Sequence, residues 1–394
     1  MENLATGYYK FGNKIYLSRQ DMLDDAMLLL SKNYSLPLMQ FIFNEEVFDK
    51  IDWTIEPSFS LKELYTQRAQ QLRDDYDYLI LSYSGGSDSH EILGTFLENN
   101  IFIDEIQVMH YEKAMSRFDR SVLMNDKAAS ELLEYEMVCV PWLKKVSEIS
   151  PKTKITTLDI SDNLIEDIRN NKYSFMGMDK KKVQASFVVQ GTPYARNFFQ
   201  HHHNNLHLDK TNKTAFIRGV EKPNLRFDGN KLTFSFHDAS MHGAKLIYEK
   251  EIDPIYTIEN FFWSKDAPLI PIKQSHVLKK VLETNKAFYD DFMENGNLLP
   301  LVARSPMNNF QRKYNSYIYY HWRDDMFVAQ KNLVKSPEFA LMDLIDPVNN
   351  AEEALKEQRA YYFNRYKKIK NQKLLTKHLS TKPYIIGDFN ASWT

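Results

Sequence analysis

The stretch Tyr78-Leu79-Ile80-Leu81-Ser82-Tyr83-Ser84-Gly85-Gly86-Ser87-Asp88-Ser89-His90-Glu91-Ile92-Leu93-Gly94-Thr95-Phe96-Leu97 decides how this chain is read. Tyr78 to Tyr83 is a short, mostly apolar run of the buried-strand type. His90 to Leu97 reads as the start of a helix, and the segment between them is built from serine, glycine and aspartate. Two glycines let a backbone take unusual dihedrals and approach an anion with no Cβ in the way, so that several amide groups can point into one concavity. Ser84, Ser87 and Ser89 add hydroxyls, and the helix N-terminus adds partial positive charge. Strand, glycine turn and helix together make an anion cradle. It is not a Walker A loop, which is longer and carries a lysine after its glycines; here Asp88 stands in that place. A carboxylate beside an anion needs a reason. Two are open for Asp88: capping the helix, or holding a Mg²⁺ ion that bridges phosphate oxygens.

The flanks supply the context. Leu61, Leu64, Tyr65, Ala69 and Leu72 fall at helical spacing before the cradle. After it, Ile103 to His110 reads as a second strand, Asp126 to Tyr135 as a helix, Lys154 to Ile160 as a third strand, and Thr214 to Arg218 as a later strand. That last strand runs into Gly219-Val220-Glu221-Lys222-Pro223. Such alternation over residues 61–250 argues for an α/β domain, a parallel sheet with covering helices. Residues 1–60 read as a small α+β module, with strand pieces across Tyr8 to Leu17 turning at Gly12-Asn13 and a helix from Arg19 to Leu30. Residues 251–394 are aromatic-rich and mainly helical in pattern, as expected of a lid or substrate region.

Ser84-Gly85-Gly86-Ser87-Asp88-Ser89 after an apolar strand is similar to the SGGxDS signature of the PP-loop ATP pyrophosphatases. That family includes asparagine, GMP and NAD synthetases and tRNA-modifying ligases. The resemblance covers mainly residues 75–225 and leaves both ends unexplained. It implies a doubly wound parallel sheet, the adenine nucleotide alpha hydrolase-like fold, with ligand outside the carboxyl ends of the strands. It also implies ATP and Mg²⁺ as cofactors, with cleavage between the α- and β-phosphates to an adenylate and pyrophosphate. Carried over residue by residue, it places Ser82, Ser84, Gly85, Gly86, Ser87, Asp88 and Ser89 around the phosphates, Met109 and His110 near adenine, and Gly219 in a second turn. Asp88 is the metal candidate. Lys222 and Arg218 are the candidates for contact with the outgoing pyrophosphate, although a plain surface turn before Pro223 reads equally well.

What is missing narrows the choice. Residue 2 is glutamate rather than the nucleophilic cysteine of a built-in glutaminase, and the single cysteine, Cys139, rules out a four-cysteine zinc site and the usual sulfur-moving ligases. The sequence resembles stand-alone asparagine-synthetase-like proteins of the sort that bacteriophages also encode. The expected reaction is adenylation of a carbonyl or carboxylate oxygen, then attack by ammonia or an amine, with ammonia free or drawn from a separate glutaminase. A nucleic-acid-modifying enzyme with the same chemistry and a non-catalytic nucleotide-binding regulator are the alternatives. The acceptor is therefore a small molecule or a nucleic acid, and a homo-oligomer is open.

The remaining features read more plainly. With 394 residues, 43% apolar, 26% charged and a net charge of −2, the chain can bury a sizeable core and carries no global pull toward nucleic acid or membrane. No run approaches the ~20 apolar residues of a membrane span, and a cytoplasmic location is expected. Cys139 and Phe261-Phe262-Trp263 read as core. His201-His202-His203 with His207 invites a metal reading, but consecutive histidines on a helix point in different directions. His237-Asp238 and His242 carry no diagnostic spacing. The basic, aromatic stretch from Lys356 to Lys382 suits either a nucleic-acid surface or the solvated face of an amphipathic helix.

Overall fold

The computed structural model describes residues 6–110, 135–159, 211–241, 256–295, 309–321, 364–370, 373–376 and 378–393. The N-terminal module begins with β1 (Tyr8–Phe11) and β2 (Lys14–Tyr16), joined by a two-residue turn in which Gly12 takes φ +60°. Then come α1 (Arg19–Ser31), whose N-cap is Ser18, β3 (Met39–Ile42) and the short α2 (Glu45–Phe48). The three strands form an antiparallel sheet in the order β2-β1-β3.

Next comes α3 (Leu61–Asp75), started by a reciprocal cap: Glu63 N–H donates to Ser60 Oγ at 3.2 Å, and Ser60 N–H donates to Glu63 Oε2 at 2.7 Å. It leads into β4 (Tyr78–Ser82), α4 (Ser87–Glu98) and β5 (Glu105–His110). A π-helical turn at Tyr135–Cys139 enters α5 (Val140–Ile149), in which Pro141 sits in the first turn where its missing N–H costs nothing. The apolar run containing Cys139 is thus helical, and Cys139 is buried and free. There follow β6 (Lys154–Asp159), β7 (Thr214–Arg218), β8 (Leu225–Asp228), β9 (Lys231–Phe234), a 3₁₀ turn at Asp238–Met241 and β10 (Thr257–Asn260). The described elements end with α6 (Leu269–Thr284), α7 (Lys286–Asn295), α8 (Asn309–Ile318), α9 (Lys373–Thr376) and β11 (Tyr384–Asp388).

Five strands make one all-parallel sheet in the order β10-β7-β4-β5-β6. In chain order that is 5-4-1-2-3, consistent with a doubly wound, Rossmann-like α/β fold, and the direction of strand order reverses between β4 and β7. A second antiparallel sheet runs β11-β9-β8. Residues on both sides of position 250 therefore share both sheets: β10 completes the parallel one, and β11 pairs with β9. The core binds these parts together. Phe261, Phe262 and Trp263 are fully buried, and Trp263 lies edge-on to Phe236 with centroids 5.2 Å apart. Trp53 stacks on both Phe234 and Tyr384, at 4.9 and 4.6 Å. Among the described residues, no helix is long and apolar enough to cross a membrane.

Candidate functional site

In a doubly wound sheet the crevice for a ligand opens where the strand order reverses, outside the carboxyl ends of the strands on either side. Here those strands are β4 and β7. The loop leaving β4 is Tyr83 to Gly86, and the loop leaving β7 begins at Gly219. Both are built around glycine for steric reasons. Gly85 takes φ +81°, in the left-handed region that side chains rarely adopt. A Cβ on Gly219 would fall 2.8 Å from Asp88 Cβ and 3.0 Å from both Asp88 C and Ser89 N. Only glycine lets the two loops approach this closely.

Three serine contacts shape the first loop. Ser84 N–H donates to Ser89 Oγ, Gly86 N–H donates to Ser84 Oγ, and Ser89 Oγ–H donates to Gly86 O, each at 3.2 Å. The N-cap of α4 is Gly86, which has no side chain to satisfy the helix start, so an external acceptor is favoured there. Asp88 lies inside the first turn. It is not the N-cap, and its carboxylate is engaged elsewhere: Oδ2 accepts from Lys222 Nζ and Oδ1 accepts from the Tyr319 hydroxyl. Glu221 Oε1 stands 3.6 Å from the same ammonium. Asn315 Nδ2 donates to Ser87 Oγ at 3.1 Å.

Two acids thus converge on one lysine at the mouth of a glycine loop. Burial works against the Lys222 ammonium, but Asp88 and Glu221 outweigh it and raise its pKa above the ordinary value. Burial and the nearby Asp88 charge raise Glu221, although the Lys222 ammonium pulls the other way. The Tyr319 phenol is pushed up by burial and by Asp88. Behind the loop, His90 is buried between Tyr83, whose hydroxyl is 3.0 Å from Nδ1, and the edge-on Trp142; burial lowers its pKa to about 4.

Of the residues singled out from sequence, Ser84 to Ser89, Gly219 and Lys222 come together. Arg218 does not join them through any described contact: its Nη2 donates to Ser240 O at 2.8 Å and to Asn260 Oδ1 at 3.0 Å, tying β7 to β10 and the 3₁₀ turn. Ser82 ends β4 beside Gln107. Met109 and His110 end β5 at the same edge of the sheet as the loop, with the His110 ring stacked on Tyr135 at 4.5 Å. His201 to His203, His207, His242 and residues 356–363, 371–372 and 377 of the basic segment lie outside the described residues. In the part that is described, Arg365 pairs with Asp24 at 2.8 Å and Lys382 with Asp49 at 2.5 Å. His237 and Asp238 belong to a buried cluster with Arg19, Tyr9 and His378.

Sequence reasoning missed Asn315, Tyr319 and Glu221. Glu221 sat inside the quoted turn. Asn315 and Tyr319 lie more than 220 residues from their partners, and nothing local marks them. Among the described residues, no group of three or more His, Cys, Asp or Glu side chains could hold a metal ion. No family model matches the chain, and a search of curated proteins finds no match.

Proposed function

We propose that the crevice between the β4 and β7 loops binds the phosphate chain of ATP, and that the protein is an AMP-forming ligase of the PP-loop kind. One observation carries this reading: two glycine-dependent loops from the strands flanking the switch point meet at Asp88, with one lysine and a helix N-terminus facing the same place. The substrate's carbonyl or carboxylate oxygen attacks the α-phosphorus, the bond to the β-phosphate bridging oxygen breaks, and pyrophosphate leaves with that electron pair. Ammonia or an amine then displaces AMP. In this scheme Lys222 exchanges its contact with Asp88 for a phosphate oxygen, and the loop amides and Ser84, Ser87 and Ser89 hydroxyls stabilise the charge on the departing group.

Asp88 is also the carboxylate that would hold Mg²⁺: each of its oxygens accepts a hydrogen bond in the arrangement described, from Lys222 and Tyr319, and the move of Lys222 to the phosphate would open one of them to the ion. The test is the product of ATP turnover: ³¹P NMR is expected to detect AMP and pyrophosphate, and ADP with orthophosphate as the sole products would reject the reading.

A further inference from the structure

Three residues at and just past the end of α8, Asn315, Tyr319 and His321, touch α4 at three levels. Asn315 donates to Ser87 Oγ at 3.1 Å and Tyr319 donates to Asp88, both in the first turn. One turn on, the His321 backbone N–H donates to Glu91 Oε2 at 2.7 Å. Farther along, His321 Nε2 is 2.9 Å from Glu98 Oε2. The ring lies against the helix backbone itself, since a Cβ on Gly94 would fall 2.2 Å from His321 Cγ. From behind, the Tyr65 hydroxyl of α3 donates to Ile318 O at 2.8 Å, and Gln274 of α6 donates to that hydroxyl at 2.8 Å.

We propose that Asn315 to His321 form a strap that sets the position of the cradle on α4, and that His321 is its releasable fastening. Asn315 and Tyr319 are positioning residues, because they act on Ser87 and Asp88 and not on a ligand. Glu91 makes the fastening consequential. Its side chain is fully buried, and its Oε1 has no hydrogen-bond partner among the described residues, so it relies on the facing imidazolium for neutralisation. His321 Nδ1 lies 3.2 Å from Glu91 Oε2, near enough for an ion pair although not aligned as a hydrogen bond.

Among the described residues, the titratable and charged groups around the ring are Glu91, Glu98 and His90 on α4, Lys62 and Tyr65 on α3, and the neighbouring Tyr320. Lys62 shares Glu98 with the ring, at 2.5 Å. Burial opposes the charged imidazole, but Glu91 and Glu98 outweigh it and raise its pKa above 6.5. The sign follows. The strap's ionic contribution is complete below pH 6.5, the unfolded value, and is lost as pH rises through the raised folded value. Release would free Tyr319 from Asp88, and only in that last step does the inference rest on the phosphate-binding reading.

Hydrogen exchange of the full chain, read by mass spectrometry and corrected for intrinsic rates, tests it. In the wild type, protection of residues 87–98 is expected to fall as pH rises above 6.5, while β5 stays protected. In His321→Gln, α4 should exchange about tenfold faster at the acid end, with the pH dependence gone. Glu98→Gln, at an exposed position, is the milder variant and should move the inflection to lower pH. Unchanged α4 exchange in both variants, or an equal pH response in His321→Gln, would overturn the strap. Inorganic pyrophosphate titrated in parallel separates the two readings: if exchange responds but the protein binds no pyrophosphate at any pH, the strap stands and the ATP reading falls.

Discussion

Asp88 and Asp238 are built from the same parts and behave differently. Each carboxylate accepts from a tyrosine hydroxyl and faces a cation: Tyr319 and Lys222 for Asp88, Tyr9 and Arg19 for Asp238, with His378 as a further partner at 2.6 Å. The Asp238 pair is sealed, with both side chains 0% exposed, whereas Lys222 and Asp88 keep 12% and 21% of theirs. Arginine is planar and always charged, and suits a fixed contact. Lysine is a point charge on a flexible stem and can change partners at small cost. Asp238 therefore works as a rivet joining the N-terminal sheet, the 3₁₀ turn and the C-terminal segment. Asp88 is a resting partner for a cation that a phosphate oxygen can take over. An acid–cation–tyrosine cluster marks a candidate site only when it opens onto a glycine-lined crevice.

The contrast can be broken by mutation. Arg19→Met leaves a buried carboxylate without its guanidinium and should cost about 3–5 kcal/mol in denaturant unfolding; a loss under about 1 kcal/mol would mean that Tyr9 and His378 suffice. The acid limb of stability should weaken with it. Burial raises the Asp238 pKa, but Arg19, His378 and Tyr9 pull it below 3.8, so its contribution exists above that pH and is lost as pH falls through the depressed value. Gly219→Ala comes next. Its Cβ would meet the backbone of Asp88 and Ser89, which cannot yield as a flexible side chain does, so a cost of about 1–3 kcal/mol is expected. An unchanged unfolding midpoint would show that the two loops can separate freely. The smallest effect on stability belongs to Lys222→Met, because the Asp88 left behind retains some access to water: about 1 kcal/mol or less. A loss as large as that of Arg19→Met would make Lys222 a second rivet.

Much of the fold was legible because its signals are local. Tyr78 to Ser82 is apolar at strand length, Leu61, Leu64, Tyr65, Ala69 and Leu72 fall at helical spacing, and Gly12-Asn13 sits in a hairpin turn; each element follows from chemistry within a few residues. Ser84 to Ser89 was legible for the same reason, since strand, glycine turn and helix adjoin in sequence. What escaped depends on distant pairing. That Thr257–Asn260 would complete the sheet beside β7, or that Tyr384–Asp388 would pair with β9, is set by tertiary packing and not by the pattern of either stretch. Likewise Arg218 and Lys222 look interchangeable in sequence, both cations next to a glycine turn. Arg218 ends a strand and turns to Asn260, while Lys222 lies past the glycine and reaches Asp88. Tyr319, within an aromatic helical pattern, gave no hint that its hydroxyl serves the cradle.

The most direct test of the central claim is calorimetric titration of inorganic pyrophosphate into the wild-type protein and into Lys222→Met, with unfolding midpoints measured on the same samples. Wild type should bind, and Lys222→Met should bind on the order of tenfold to a hundredfold more weakly, as expected for loss of one charge-assisted contact. The two unfolding midpoints should nearly coincide. Equal affinity in the two proteins, or no binding by a folded wild type, would contradict a pyrophosphate cradle at Asp88 and Lys222.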